Sequence, residues 1–216
     1  MRLVILGGPG AGKGTQARRL CHQLGICEIS TGDVLRHAIA SQTELGCQAK
    51  PYVEKGELVP DPILIEFIRQ RLLQPDTAQG WLLEGYPRTA FQAEELDFLL
   101  EELEQRLDWA IYLEVSESVM MNRSVLRWLR PPEASQSLQI APSHGSDGSH
   151  QDSLSKGNLR PDDHPEIVER RIELFHERTI PILEYYGYRQ RLLTIKGDQP
   201  AEKVQEEILK LLIASC

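Results

Sequence analysis

Arg2-Leu3-Val4-Ile5-Leu6 runs directly into Gly7-Gly8-Pro9-Gly10-Ala11-Gly12-Lys13-Gly14-Thr15. The first five residues form an apolar run of strand length, and the nine that follow form a glycine-rich loop. Such a loop lets backbone N–H groups turn inward around an anion that no Cβ obstructs. Ala17, Leu20, Cys21 and Leu24 then recur on one face of a 3.6-residue period that stops at Gly25, which predicts a helix. Its N-terminal amides and dipole would point at the same anion, and Lys13 adds a mobile full charge able to follow a β- or γ-phosphate. Strand, loop, lysine and helix stand in the order that a phosphate-binding loop needs, an order that a plain glycine turn does not require. The general pattern G-x-x-x-x-G-K-[ST] is altered in one place. Gly14 occupies the hydroxyl position and Thr15 brings the hydroxyl one residue later, so the usual direct magnesium ligand is shifted.

Outward from this loop, short apolar runs alternate with longer helical patterns, the signature of an α/β fold with a parallel sheet covered by helices. Strands are expected at Arg2–Leu6, 27–29, Trp81–Glu84, 110–115 and 192–195, several of them apolar on both faces as buried parallel strands must be. Residues 30–62 break the alternation with helical pieces and turns, Thr31-Gly32-Asp33 offering an N-terminal cap for a helix from Val34. Residues 131–158 are dominated by Ser, Gln, His, Gly, Asp and Pro without apolar period, which reads as a flexible loop or flap. Helical patterning returns over 162–186, and a last helix is expected over 201–213.

The chain has 216 residues, 41% of them hydrophobic, enough for one α/β domain with insertions. A net charge of -8 argues against a nucleic-acid or anionic-membrane surface. Cys21, Cys27, Cys47 and Cys216 lack C-x-x-C spacing, and His144, His150 and His164 lack ligand spacing, so no structural zinc is expected. The opening apolar run is too short for a signal peptide and no segment has the length of a membrane span, which leads to the expectation of a soluble, cytoplasmic protein.

Three further stretches carry candidate chemistry. Ser30-Thr31-Gly32-Asp33-Val34-Leu35-Arg36 follows the second strand, at the same carboxyl edge of the sheet as the phosphate loop, where a second ligand can sit near the first. Arg36 there is either a ligand or a solvated helix residue. Glu84-Gly85-Tyr86-Pro87-Arg88, followed by Gln92, ends the third strand. Glu84 could orient water around magnesium and Arg88 could clasp a phosphate through two parallel hydrogen bonds, or the two could form an internal ion pair. Arg123 and Arg127 share a helix face before the polar segment, and Arg160 and Arg171 follow it. They suit a lid closing over phosphates, or alternatively a charged helix surface.

Taken together, GGPGAGKGTQ, STGDVLR, KGELVPD, GYPRT with Gln92, and LRPDDHPEIVERRI resemble the adenylate kinase family of nucleoside monophosphate kinases over nearly the whole chain. The resemblance implies a P-loop NTPase-type three-layer α/β/α fold with a five-stranded parallel sheet. Its core would comprise 1–29, 60–126 and 161–216, with an NMP-binding segment at 30–59 and a lid at 127–160. It further implies an ATP site at Gly10, Ala11, Gly12, Lys13, Gly14 and Thr15, with Arg123, Arg127 and backbone at Gln199. An AMP site would be built from Thr31, Arg36, Glu57, Leu58, Val59, Gly85, Tyr86, Pro87, Arg88 and Gln92. Lys13, Arg88, Arg127, Arg160 and Arg171 would act in catalysis, with Arg160 and Arg171 also reaching AMP, and Asp162 and Asp163 would help close the lid. Mg2+ would accompany ATP, held through water by Glu84 without a direct protein ligand.

The chain departs from the family pattern in three places. Glu84 replaces a customary Asp, Val125-Leu126-Arg127-Trp128 has one arginine where a pair is usual, and the lid body lacks both the S-G-R-x-Y-H stretch and the zinc cysteines of some relatives. The expected reaction is ATP + AMP = 2 ADP by a monomer, with ATP, AMP and ADP as its partners. A UMP/CMP kinase, against which Thr31 speaks, and a nucleotide-binding regulator of reduced turnover are the alternatives.

Overall fold

The computed structural model describes residues 1–129 and 164–214. The polar segment at 131–158, most of the expected lid at 127–160, Arg160, Asp162, Asp163 and Cys216 lie outside them. Five parallel strands, β1 (Arg2–Leu6), β2 (Cys27–Ser30), β3 (Trp81–Glu84), β4 (Trp109–Glu114) and β5 (Leu192–Lys196), form one sheet in the order β2-β3-β1-β4-β5. β1 thus lies at the centre, with Val4 in register with Leu83 on one side and Ala110 on the other. The five expected strands are all present, each within a residue of its expected ends at either terminus.

Successive strand residues point to opposite faces, so an all-apolar β1 feeds two cores at once. Val4 and Leu6 face a cluster with Ile29, Leu83, Leu96, Leu100, Ile182 and Tyr186. Leu3 and Ile5 face another with Leu20, Leu82, Ile111, Leu113, Ile172 and Ile208. The first layer is built by helices α4 (Asp61–Leu72), α5 (Ala90–Glu102) and α8 (Ile180–Tyr188), and the second by α1 (Lys13–Leu24), α7 (Pro165–Leu174) and α9 (Ala201–Ala214), with Met120 of α6 (Glu117–Leu129).

Between β2 and α4, helices α2 (Thr31–Ala40) and α3 (Glu44–Val53) make the helical excursion that the sequence suggests. The cap of α2 differs from the expected one. Ser30 is the N-cap, its Oγ accepting from the Asp33 N–H at 3.3 Å, and the helix starts at Thr31. This frees the Thr31 hydroxyl to donate to the Glu84 carbonyl at 3.0 Å. The helical stretch after residue 164 is also more divided than its pattern suggests. Between α7 and α8 the chain widens into a π-turn at Phe175–Thr179, next to Pro181, which cannot donate a backbone hydrogen bond to the preceding turn.

Candidate active site

β1, β2 and β3 all end at one edge of the sheet, where parallel strands deliver their following loops to a common cleft. At the end of β1, Gly12 caps α1 in the left-handed region, φ 96°, and Gly25 closes the helix with its N–H on the Cys21 carbonyl. Lys13 is half-buried, with its ammonium folded back onto the loop, donating to the Gly7 carbonyl at 2.8 Å and the Gly8 carbonyl at 2.9 Å. Burial of the ammonium lowers its pKa from 10.5 to about 7. The Glu84 carboxylate opposes the shift, while the positive charges of Arg88, Arg171 and Arg127 add to it. The expected phosphate lysine therefore sits in a crowd of cations that an anion would relieve.

At the end of β3, Glu84 Oε2 accepts from Ser30 Oγ at 3.2 Å. Its carboxylate faces the phosphate loop so closely that a Cβ on Gly14 would lie 3.3 Å from Oε2. Gly14 and Glu84 thus occupy complementary space: the position lacking a side chain lies against the longer carboxylate. Gly85 has φ +87°, and a Cβ there would come within 2.3 Å of Thr31 Oγ1, so only glycine lets the two loops approach this closely. Arg88 is braced from below, its Nε donating to the Gly85 carbonyl at 2.8 Å and its own carbonyl accepting from Thr179 Oγ1 at 2.9 Å.

These elements enclose three adjoining clefts. The first is lined by Thr31, Arg36, Glu57, Leu58, Val59, Gly85, Arg88, Gln92 and Arg171, most of the residues expected around the monophosphate. Apolar Leu35, Val53 and Leu64 complete it. Arg36 pairs with Asp33 and its guanidinium lies over Gly32, while Glu57 is held by Arg170 Nε at 2.8 Å. The second cleft shares Gly56, Leu58, Gly85, Arg88 and Arg171 with the first and reaches Pro87, Gly8 and Lys13. The third lies beyond the loop, lined by Gly10, Ala11, Gly12, Thr15, Arg123, Arg127 and Gln199 of the expected ATP set. Arg123 donates from both terminal nitrogens to the Gly197 carbonyl at 3.1 Å, fixing the turn that borders this cleft.

Tyr86 lines none of the three clefts and is 1% exposed within the core. Gly14, Glu84 and Asp33 also stand behind the lining rather than in it. Two residues at the site carry no role expected from the sequence, Gln16 at the end of the GGPGAGKGTQ stretch and Thr179 outside every motif. Gln16 lines the third cleft with its Nε2 bound to the Ala201 carbonyl at 2.8 Å, and its buried Oε1 has no partner among the described residues. Thr179, the brace of Arg88, sits in the π-turn, which helical periodicity does not reveal. No cluster of three metal-ligating side chains occurs among the described residues, nor is any of their helices long and apolar enough to cross a membrane.

The sequence model of the family described as Adenylate kinase matches residues 5–191. The chain is 56% identical to Adenylate kinase 2 of Nostoc sp. (strain PCC 7120) over the whole of both chains. It is 50% identical to Adenylate kinase 2 of Synechocystis sp. (strain PCC 6803), covering 98% of this chain and all of the relative. With Adenylate kinase of Gloeobacter violaceus it shares 40% identity over 98% of each chain.

Proposed function

The chain belongs to the adenylate kinase family, phosphotransferases of the reaction ATP + AMP = 2 ADP, and from that premise we propose how its residues divide the work. AMP occupies the cleft of Thr31, Arg36, Glu57 to Val59, Gly85 and Gln92. ATP occupies the cleft of Gly10, Ala11, Gly12, Thr15, Arg123 and Gln199, and the phosphoryl group crosses at the central cleft that Lys13 enters. The observation that carries this reading is that Arg88 and Arg171 line both the first and the central cleft, while Lys13 enters the central cleft from the phosphate loop. Two nucleotide pockets joined by a cationic passage suit transfer between phosphates better than simple hydrolysis.

Phosphoryl transfer spreads charge over the transferred oxygens and asks for alignment and cations more than for a protein base. Lys13 leaves its loop carbonyls to follow the moving group. Arg88 and Arg171 hold the acceptor phosphate in line, Arg127 neutralises charge from the donor side, and Arg160, as the family resemblance implies, joins them on the phosphates. Glu84 and Ser30 present hard oxygen groups against the phosphate loop, the donor type that hydrated Mg2+ prefers, and this pair is proposed to orient its water shell. When bound, Mg2+ supplies charge neutralisation of the ATP phosphates. The proposed working unit is a cytoplasmic monomer.

A coupled assay with ATP and a panel of AMP, CMP and UMP tests the acceptor assignment, with Arg88→Met beside the wild type. AMP is the expected preferred acceptor. Arg88→Met is expected to raise the KM for AMP and lower kcat by at least about a hundredfold while leaving the KM for ATP within a few-fold, given the loss of a bidentate charged clasp. Preference for a pyrimidine, or an effect confined to ATP, would overturn the assignment.

A further inference from the structure

Gln92 lines the acceptor cleft, is 0% exposed, and has both ends of its side-chain amide tied. Oε1 accepts the Arg88 backbone N–H at 2.7 Å, and Nε2 donates to Asp61 Oδ1 at 2.6 Å. The two partners leave no freedom in which end is oxygen, because a backbone N–H can only donate and an ionised carboxylate can only accept. Asp61 opens α4 directly after its N-cap Pro60 and is itself absent from the cleft lining. The amide keeps one spare lone pair on Oε1 and one spare N–H on Nε2 for a ligand.

We propose that Asp61 is a positioning residue for base discrimination, holding the Gln92 amide in the single orientation that matches an exocyclic amino group beside a ring-nitrogen acceptor. This inference rests on the reading of the first cleft as the AMP site. A 6-amino purine offers that donor–acceptor edge, whereas a 6-oxo purine offers its inverse, a carbonyl beside an N–H. To read the inverse edge the amide must flip, which sets Oε1 against the Asp61 carboxylate and the NH2 group against the Arg88 N–H. Both part-buried contacts then repel. Asparagine at position 61 would itself turn to accept or donate, so half of the restraint would disappear while shape and volume stay nearly constant.

The test compares kcat/KM for AMP and for inosine 5′-monophosphate, each with ATP, in the wild type, Asp61→Asn and Gln92→Leu. Asp61→Asn is expected to reduce the preference for AMP at least about tenfold, with the KM for ATP unchanged. A purely structural role would slow both acceptors alike and leave their ratio intact. Should Asp61→Asn fail to fold, Asp61→Ser carries the same expectation, since a hydroxyl also donates or accepts. A preference kept within about twofold in the Asp61 variants, while Gln92→Leu collapses it, overturns the inference and leaves the AMP site standing. If Gln92→Leu changes neither acceptor, the acceptor reading and the inference both fall.

Discussion

Replacing Lys13 by Met should abolish a proton uptake that accompanies ATP binding in the wild type. In the free protein the Lys13 pKa is lowered from 10.5 to about 7, first by burial of the ammonium and then by the neighbouring arginines. An ATP phosphate arriving at the loop supplies the missing counter-charge, so the bound state holds more protons than the free one and the pKa returns toward its ordinary value. With full restoration, binding takes up about 0.1 proton at pH 6, about 0.5 at pH 7 and about 0.9 at pH 8. The sign follows directly. Affinity falls as pH rises above 7, by about fivefold between pH 7 and pH 8 from this group alone. Without ligand, the unfolded chain is the better proton binder between pH 7 and 10.5, so stability of the free protein should rise with pH across that window. Isothermal titration of MgATP at pH 8, where the nucleotide itself is deprotonated, in two buffers of different ionisation enthalpy gives the proton count. Buffer-independent heats in the wild type, or a proton count equal to that of Lys13→Met, would refute the reasoning.

Two other substitutions probe the loop from opposite sides. Glu84→Gln removes the carboxylate that faces Gly14 but leaves an oxygen for Ser30 Oγ to donate to. Activity at saturating substrates should fall about tenfold or more and the Mg2+ concentration for half-maximal rate should rise, while the melting temperature stays within about 2 °C. Gly10→Ala acts sterically: at φ +74°, its Cβ would stand 2.4 Å from the Met120 carbonyl, so the loop must leave α6. Steady-state kinetics should show kcat/KM for ATP reduced by about a hundredfold with AMP binding preserved, and melting should occur several degrees lower.

The sheet was legible because its strands are short and apolar on both faces, a pattern that little else in a 216-residue chain imitates. The phosphate loop was legible for a different reason, since its spacing is dictated by the anion rather than by packing. Ser30, Thr31 and Asp33 are equally good cap residues, so the sequence does not single out Ser30 as the cap of α2. Only the pull of the Glu84 carbonyl on the Thr31 hydroxyl decides between them. Gln16 ends the GGPGAGKGTQ stretch, yet its contact with the Ala201 carbonyl joins parts of the chain 185 residues apart and has no local signal. Asp61 could be seen within KGELVPD, yet its grip on Gln92 depends on how α4 and α5 meet. The π-turn that braces Arg88 leaves no trace in hydrophobic period, because one extra residue in a turn is hidden by the apolar surroundings of Phe175 and Ile180.

The contact between Gln16 and Ala201 also has a bearing on synthesis. The loop that begins the proposed donor cleft is made well before the cleft's far wall, Gly197, Gln199, Ala201 and Val204, contributed by the turn after β5 and by α9. A growing chain still inside the ribosome at residue 190 has its phosphate loop and no β5 beside β4, so the partner that Arg123 holds at Gly197 does not yet exist. ATP held as proposed would therefore lack the far wall of its cleft until β5 and α9 are in place. In the proposed reading its full grip comes only after β5 has docked beside β4, which makes nucleotide binding a report on the finished sheet.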